Sequence, residues 1–182
     1  MKKISAILIA IICLSIQTKA QALKVGDVLP NLALTSTAGT VYNLKNQPNA
    51  KGFILVFMSP NCDHCTLYEN RVIALHQKYK PKGYGVVAIG PYGDDAVKYP
   101  FDAMPAMKKL AARKHFTFPY LADEKFKYTW LLGIAKTPTA VVLKKQANGF
   151  LIKYIGIIDD EEDENKVPKQ KFVEIEVNKL LK

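Results

Sequence analysis

Six consecutive apolar residues, Phe53 to Met58, run straight into Ser59-Pro60-Asn61 and then Cys62-Asp63-His64-Cys65. This join constrains the fold more than any other part of the 182-residue sequence. A run with no polar position fits a strand buried on both faces, as in a parallel sheet covered by helices. Beyond it, Cys65, Tyr68, Val72, Leu75 and Tyr79 recur every three or four residues. That spacing predicts a helix from near Cys62 to about Lys80, stopped by Pro81 and Gly83. Tyr84 to Ile89 reads as the next strand. The cysteines therefore fall at the strand-to-helix turn of a right-handed crossover unit.

The rest of the chain extends this α/β pattern. Residues 24–47, with Gly26, Pro30 and Ala38-Gly39, read as an N-terminal loop and hairpin. Residues 90–103 read as a loop. Helices are expected over Met104–Lys114, near Glu124–Leu132, and from about Pro168 to Leu181. Thr139–Leu143 and Phe150–Ile157 are expected to form strands around an Asn148-Gly149 turn. The result is a central mixed β-sheet flanked by helices. Trp130, next to Leu131 and Leu132, is expected in the core. The run Asp159-Asp160-Glu161-Glu162-Asp163-Glu164 is expected to be an extended, solvated loop, because like charges repel.

Lys2 and Lys3, an apolar stretch from Ile4 to Ile16 and small residues at Ala20 and Ala22 have the layout of a secretory signal peptide. Residues 1–22 are read as that signal and residues 23–182 as one domain, placed outside the cytoplasm and, in a bacterium, in the periplasm. The formal net charge of +10 falls to +7 once Lys2, Lys3 and Lys19 leave with the signal. Scattered lysines of this kind are read as solubilising and give no sign of nucleic-acid binding. Of the 3 cysteines, Cys13 leaves with the signal, so the domain keeps only Cys62 and Cys65. A loop closed over so few residues is too small to staple a fold, so the pair reads as reactive.

The chemistry follows from position. A cysteine at a helix start has unpaired backbone N–H groups and the helix dipole beside it, which lower its pKa from about 8.5. Cys62 is therefore the expected nucleophile. Cys65, one turn further in, is the expected resolving thiol. His64 is expected to favour the Cys62 thiolate, while Asp63 opposes it through like charge. Glu69, one turn after Cys65, is a candidate for proton exchange with that thiol; the plainer reading is a surface glutamate paired with a lysine. A c-type haem would need histidine at position 66, which is Thr66, and a structural zinc site would need a second cysteine pair. No cofactor or resident metal is expected. His76 and His115 read as packed or surface side chains.

Phe57 to Cys65 resembles the active-site turn of thioredoxin-like proteins, and Thr137-Pro138 resembles their cis-proline loop. Gly26–Leu44, Phe118–Glu124, Leu132-Gly133-Ile134 and Tyr154–Asp160 extend the resemblance to the redoxin, or peroxiredoxin-like (AhpC/TSA-type), branch of that superfamily. The resemblance implies a thioredoxin-like fold with a redox-active Cys62–Cys65 disulfide. It also implies a cis Pro138 opposite the cysteines and a Thr137 backbone that pairs with an extended substrate strand. The implied activity is thiol–disulfide exchange with protein thiols, fed by a membrane or soluble redox donor. Two departures bear on this. Asn61 stands where thioredoxins often carry tryptophan, and Val56 where they often carry a buried acid. An alternative is a thiol peroxidase using Cys62, although the P-x-x-x-T-x-x-C pattern is broken by Leu55. A second alternative is a copper-handling module without turnover.

Overall fold

The computed structural model describes residues 21–163 and 165–182; the expected signal segment falls almost wholly outside them. Among the described residues there are eight strands: β1 (Val28–Leu29), β2 (Ala33–Thr35), β3 (Val41–Asn43), β4 (Gly52–Phe57), β5 (Tyr84–Gly90), β6 (Tyr120–Ala122), β7 (Thr139–Gln146) and β8 (Gly149–Gly156). Four α-helices accompany them in the same described residues: α1 (Asp63–Tyr79), α2 (Met104–Arg113), α3 (Lys127–Leu131) and α4 (Phe172–Leu180). One six-stranded sheet has the order β1-β8-β7-β4-β5-β6, and β2 and β3 form a separate hairpin. β4 pairs parallel with β5 and antiparallel with β7, so the expected mixed sheet is present with β4 inside it.

The apolar run of β4 divides its side chains between two cores because successive residues point to opposite faces. Ile54, Val56 and Met58 pack with Val72 of α1, Met107 of α2 and Val177 of α4. Phe53, Leu55 and Phe57 pack with Leu29, Leu44, Tyr128 and Leu132 on the other face. Each such fully buried side chain contributes about 1.5 to 3 kcal/mol relative to exposure. This two-sided burial is why the run lacks a polar position. Val56, where a buried acid stands in many thioredoxins, is here an ordinary member of the helical-side core.

Local signals place α1 as expected. Cys62 has extended backbone and caps the helix, Asp63 favours its positive end, and His76 and Lys78 lie in its last turn. A short 3-10 turn over Lys80–Lys82 then ends at Gly83, whose φ of 90° suits glycine. α4 is anchored to α1 by Tyr79, whose hydroxyl donates to Asn178 Oδ1 at 3.1 Å. It begins at Phe172, four residues later than the sequence suggests. The β7–β8 turn also differs from expectation. Gln146 pairs directly with Gly149, leaving Ala147-Asn148 as the loop. Gly149 itself has φ 147° and lies against the β1 backbone, where a Cβ would come within 2.6 Å of the Leu29 carbonyl oxygen.

Three further expectations need correction. Glu124–Leu132 is not one helix, because Lys125 and Phe126 have left-handed φ values of 52° and 56° that separate a 3-10 turn from α3. Trp130 is not in the core; it is 70% exposed. On a helix as short as α3, Tyr128 and Leu132 take the inward positions and Trp130 faces out. The acidic run is not simply solvated. Asp159 is 4% exposed and pairs with Arg71 of α1 at 2.9 Å. Arg71 also donates to the Glu161 carbonyl, and to the Asp163 carbonyl at 2.6 Å. One guanidinium offsets the repulsion that would otherwise keep this segment extended.

Candidate active site

The turn after β4 is fixed by residues distant in sequence. Met58 donates its N–H to the Ile89 carbonyl at 2.9 Å and accepts the Tyr120 hydroxyl at the same distance. Tyr120 is buried, and burial raises its phenol well above the usual range, with the Asp102 and Glu69 carboxylates adding to the effect. It therefore stays protonated and keeps donating. Asn61 donates its backbone N–H to Asp102 Oδ1 at 2.9 Å, which orients the residue before Cys62. Neither Tyr120 nor Asp102 was singled out from the sequence. Both act over more than forty residues of separation, and no local pattern marks them.

The helix start brings the two sulfurs together. Cys62 and Cys65 form a disulfide with Cα atoms 5.1 Å apart. Cys62 Sγ accepts the Cys65 backbone N–H at 3.1 Å, the bond made by an N-cap side chain. Cys62 is partly exposed, whereas Cys65 is 1% exposed. An incoming sulfur therefore meets Cys62 first.

Opposite the pair, the Thr137–Pro138 peptide is cis. Thr137 donates its hydroxyl to Cys62 Sγ at 3.4 Å, and its carbonyl oxygen lies 3.6 Å from the same sulfur. Thr139 at the start of β7 donates its hydroxyl to the Lys136 carbonyl at 2.7 Å, which tightens the loop. Pro138 has no N–H to compete at the sulfur. His64, Tyr68, Thr137, Pro138, Ile157 and Glu162 line a groove of about 190 Å³ beside the disulfide. Cys62, Cys65, His64, Thr137 and Pro138 thus converge.

Glu69 faces elsewhere. It is buried one turn beyond Cys65 and meets α2, with Lys114 Nζ 2.8 Å from Oε2 and Arg113 Nη2 3.9 Å from Oε1. The pairing with lysine agrees with the plainer reading; the burial does not. Among the described residues no group of three or more His, Cys, Asp and Glu side chains converges to hold a metal ion. His76 is packed against Phe118 with ring centroids 5.3 Å apart, far from the described role of His64.

Comparison with known proteins agrees with this geometry. The AhpC/TSA family model matches residues 25–162. A thiol-disulfide oxidoreductase ResA from Bacillus thuringiensis is 25% identical over 128 residues, 70% of this chain and 68% of that protein. A structure of an uncharacterized conserved protein from Geobacillus kaustophilus superposes with a TM-score of 0.75 at 28% identity, covering 87% of this chain and 82% of that one. The thioredoxin domain of a thiol-disulfide oxidoreductase from Bacteroides vulgatus superposes with a TM-score of 0.56 at 15% identity, covering 75% and 91% respectively, a likeness of fold alone. With its matched model spanning most of the sequence and its cysteine pair at the strand-to-helix turn, the chain belongs to the AhpC/TSA family and has a thioredoxin-like fold.

Proposed function

We propose that this thiol–disulfide oxidoreductase works in an exported, periplasm-type compartment, where it exchanges its Cys62–Cys65 disulfide with protein thiols. The observation that carries the reading is the unequal exposure of two bonded sulfurs at a helix start, with Thr137 in contact with the outer one. Export is supported by the charged, apolar and small-residue layout of residues 1–22.

In the reducing direction, the Cys62 thiolate attacks one sulfur of a substrate disulfide. A Cys62–substrate S–S bond forms, the substrate S–S bond breaks, and the departing thiolate takes a proton. Cys65 then loses its proton and attacks Cys62 Sγ, closing the intramolecular disulfide and releasing the second substrate thiol. Two electrons pass from the protein to the substrate, and the reverse sequence oxidises a substrate dithiol. The helix start and the Thr137 hydroxyl both favour negative charge on Cys62 Sγ. His64 tunes the same sulfur from the groove, whereas the Glu69 carboxylate is held by Lys114 and takes no part in the exchange. The Thr137 backbone, next to a proline without an N–H, pairs with the substrate segment. No cofactor enters either half-reaction, and electrons come from a membrane or soluble donor of unassigned identity.

The family match favours one second reading, a thiol peroxidase in which Cys62 is oxidised to sulfenic acid. Trapping separates the two. Reduced Cys65→Ser protein offered a disulfide-bearing protein should accumulate a mixed disulfide at Cys62, and Cys62→Ser protein should accumulate none. Absence of the mixed disulfide, together with rapid sulfenic acid formation by dilute hydroperoxide, would replace exchange by peroxidase chemistry. Loss of the first 20 to 22 residues on export, read from the mass of the protein recovered from the periplasm, checks the compartment.

A further inference from the structure

A second groove, of about 220 Å³, shares Lys136 and Thr137 with the His64 groove and is lined also by Tyr92, Phe126, Trp130 and Ile134. Its rings form a connected cluster. Tyr92 lies 4.6 Å from Tyr99 and 5.4 Å from Phe126, measured between ring centroids, and Phe126 stacks on Trp130 at 5.6 Å with an interplanar angle of 18°. Trp130 is nevertheless 70% exposed, so an aromatic surface is open at the edge of the redox centre. Exposed large aromatics assembled into one patch mark interaction sites more often than scattered ones do.

The backbone beneath this patch is held in a conformation that bulky side chains rarely adopt. Lys125 and Phe126 have consecutive positive φ values of 52° and 56°. Buried Asp123 holds the following turn, accepting the N–H groups of Tyr128 and Thr129 at 3.0 and 2.7 Å and the Thr129 hydroxyl at 2.7 Å. Folding the chain this way places Phe126 under Trp130 and turns both towards Thr137.

We propose that this aromatic groove is a specificity subsite, receiving an aromatic or large aliphatic side chain that lies within a few residues of the redox cysteine in an extended partner segment. The proposal rests on the exchange reading above and adds the substrate class. Continuity with the reacting sulfur is the main argument. Thr137 lines the groove and also touches Cys62 Sγ through both its hydroxyl and its carbonyl, so a segment bonded to Cys62 and running along Thr137 has a neighbouring residue above the rings. Size is the second. The groove is smaller than the roughly 300 Å³ at which small-molecule pockets begin, and suits one side chain. Chemistry is the third, since stacked rings with a free face favour apolar and aromatic contacts.

The test uses the oxidised protein and reduced cysteine peptides. Two peptide thiols reduce the Cys62–Cys65 disulfide and become one peptide disulfide, so alkylation of the two protein thiols gives the rate. Peptides carrying Phe at each of the three positions on either side of cysteine are compared with the same peptides carrying Gly. At least one Phe peptide should react about tenfold faster than its Gly counterpart, and Trp130→Ala should bring that ratio close to one. A ratio near one in the wild-type protein overturns the subsite, with no dependence on how the variant folds. If none of the peptides reduces the protein faster than it reduces oxidised glutathione, the exchange reading falls and the subsite falls with it. Sedimentation of the wild-type protein supplies the remaining outcome: a dimer that Trp130→Ala dissolves would assign the rings to a second copy of the chain and overturn the proposal.

Discussion

Two irregular segments flank the cis-proline loop, and they are stabilised in opposite ways. Residues 124–134 present rings to solvent above a strained backbone, and their anchor is one buried carboxylate, Asp123, which collects three donors. Residues 157–171 carry the acidic run, and their anchor is one guanidinium, Arg71, which collects a carboxylate and two carbonyls. In each case a single charged side chain, Asp123 just after β6 and Arg71 on α1, organises the loop. The comparison teaches that burial follows the available partner rather than the residue type. Asp159 has Arg71 and goes inside; Trp130 stacks one face on Phe126 and stays outside.

The largest effect is expected from breaking the acidic side of this comparison. Arg71→Met leaves Asp159 without its counter-charge and two carbonyls without their donor, and should lower unfolding free energy by about 3 kcal/mol in denaturant titration. Burial already raises the Asp159 carboxyl despite Arg71, so part of the loss is relieved by proton uptake, and the deficit should shrink as pH falls. A loss below about 0.5 kcal/mol would mean that the acidic segment holds its own shape. The aromatic side comes next. Asp123→Ala orphans the N–H groups of Tyr128 and Thr129 and should cost about 2 kcal/mol. It should also alter Trp130 fluorescence if Asp123 is what sets the rings; an unchanged spectrum would assign that role to the packing of Tyr128 and Leu132.

A smaller effect lies away from both segments and serves as a control on them. His76 is 4% exposed, and its Nδ1 accepts the Val86 N–H at 3.1 Å. Burial, aided by Lys80, pushes its pKa down to about 4 from the ordinary 6.5. The folded state then binds fewer protons than the unfolded one between these values, so this contribution is full above pH 6.5 and is lost as pH falls towards 4. The ring borders an open groove, so the expected loss is discounted to about 1 to 2 kcal/mol. His76→Gln should remove this part of the pH dependence, and an unchanged acid limb in the variant would mean that other groups set it.

The sequence made the centre of the molecule readable and left its rim obscure. β4 and α1 are encoded locally: an unbroken apolar run, a stripe at helical spacing and a Pro-Gly stop each act within their own segment. The convergence of Cys62, Cys65, Thr137 and Pro138 was implied by resemblance, and the structure brings these residues together. β6 was missed as a strand because three residues between a loop and a turn carry no period of their own. Trp130 departs from expectation because apolar neighbours in sequence need not share a face: Leu132 turns inward and Trp130 faces out. Asp159, Asp102 and Tyr120 depend on partners 88, 41 and 62 residues away, distances over which composition gives no signal.

The most direct test of the central claim is the equilibrium of the Cys62–Cys65 pair against graded glutathione redox buffers, read by thiol alkylation and mass. The account predicts one reversible two-electron transition to an intramolecular disulfide, at a potential between the reductant range near about −270 mV and the oxidant range near about −120 mV. Accumulation of Cys62 bonded to glutathione, with Cys65 remaining a free thiol across the series, would contradict it.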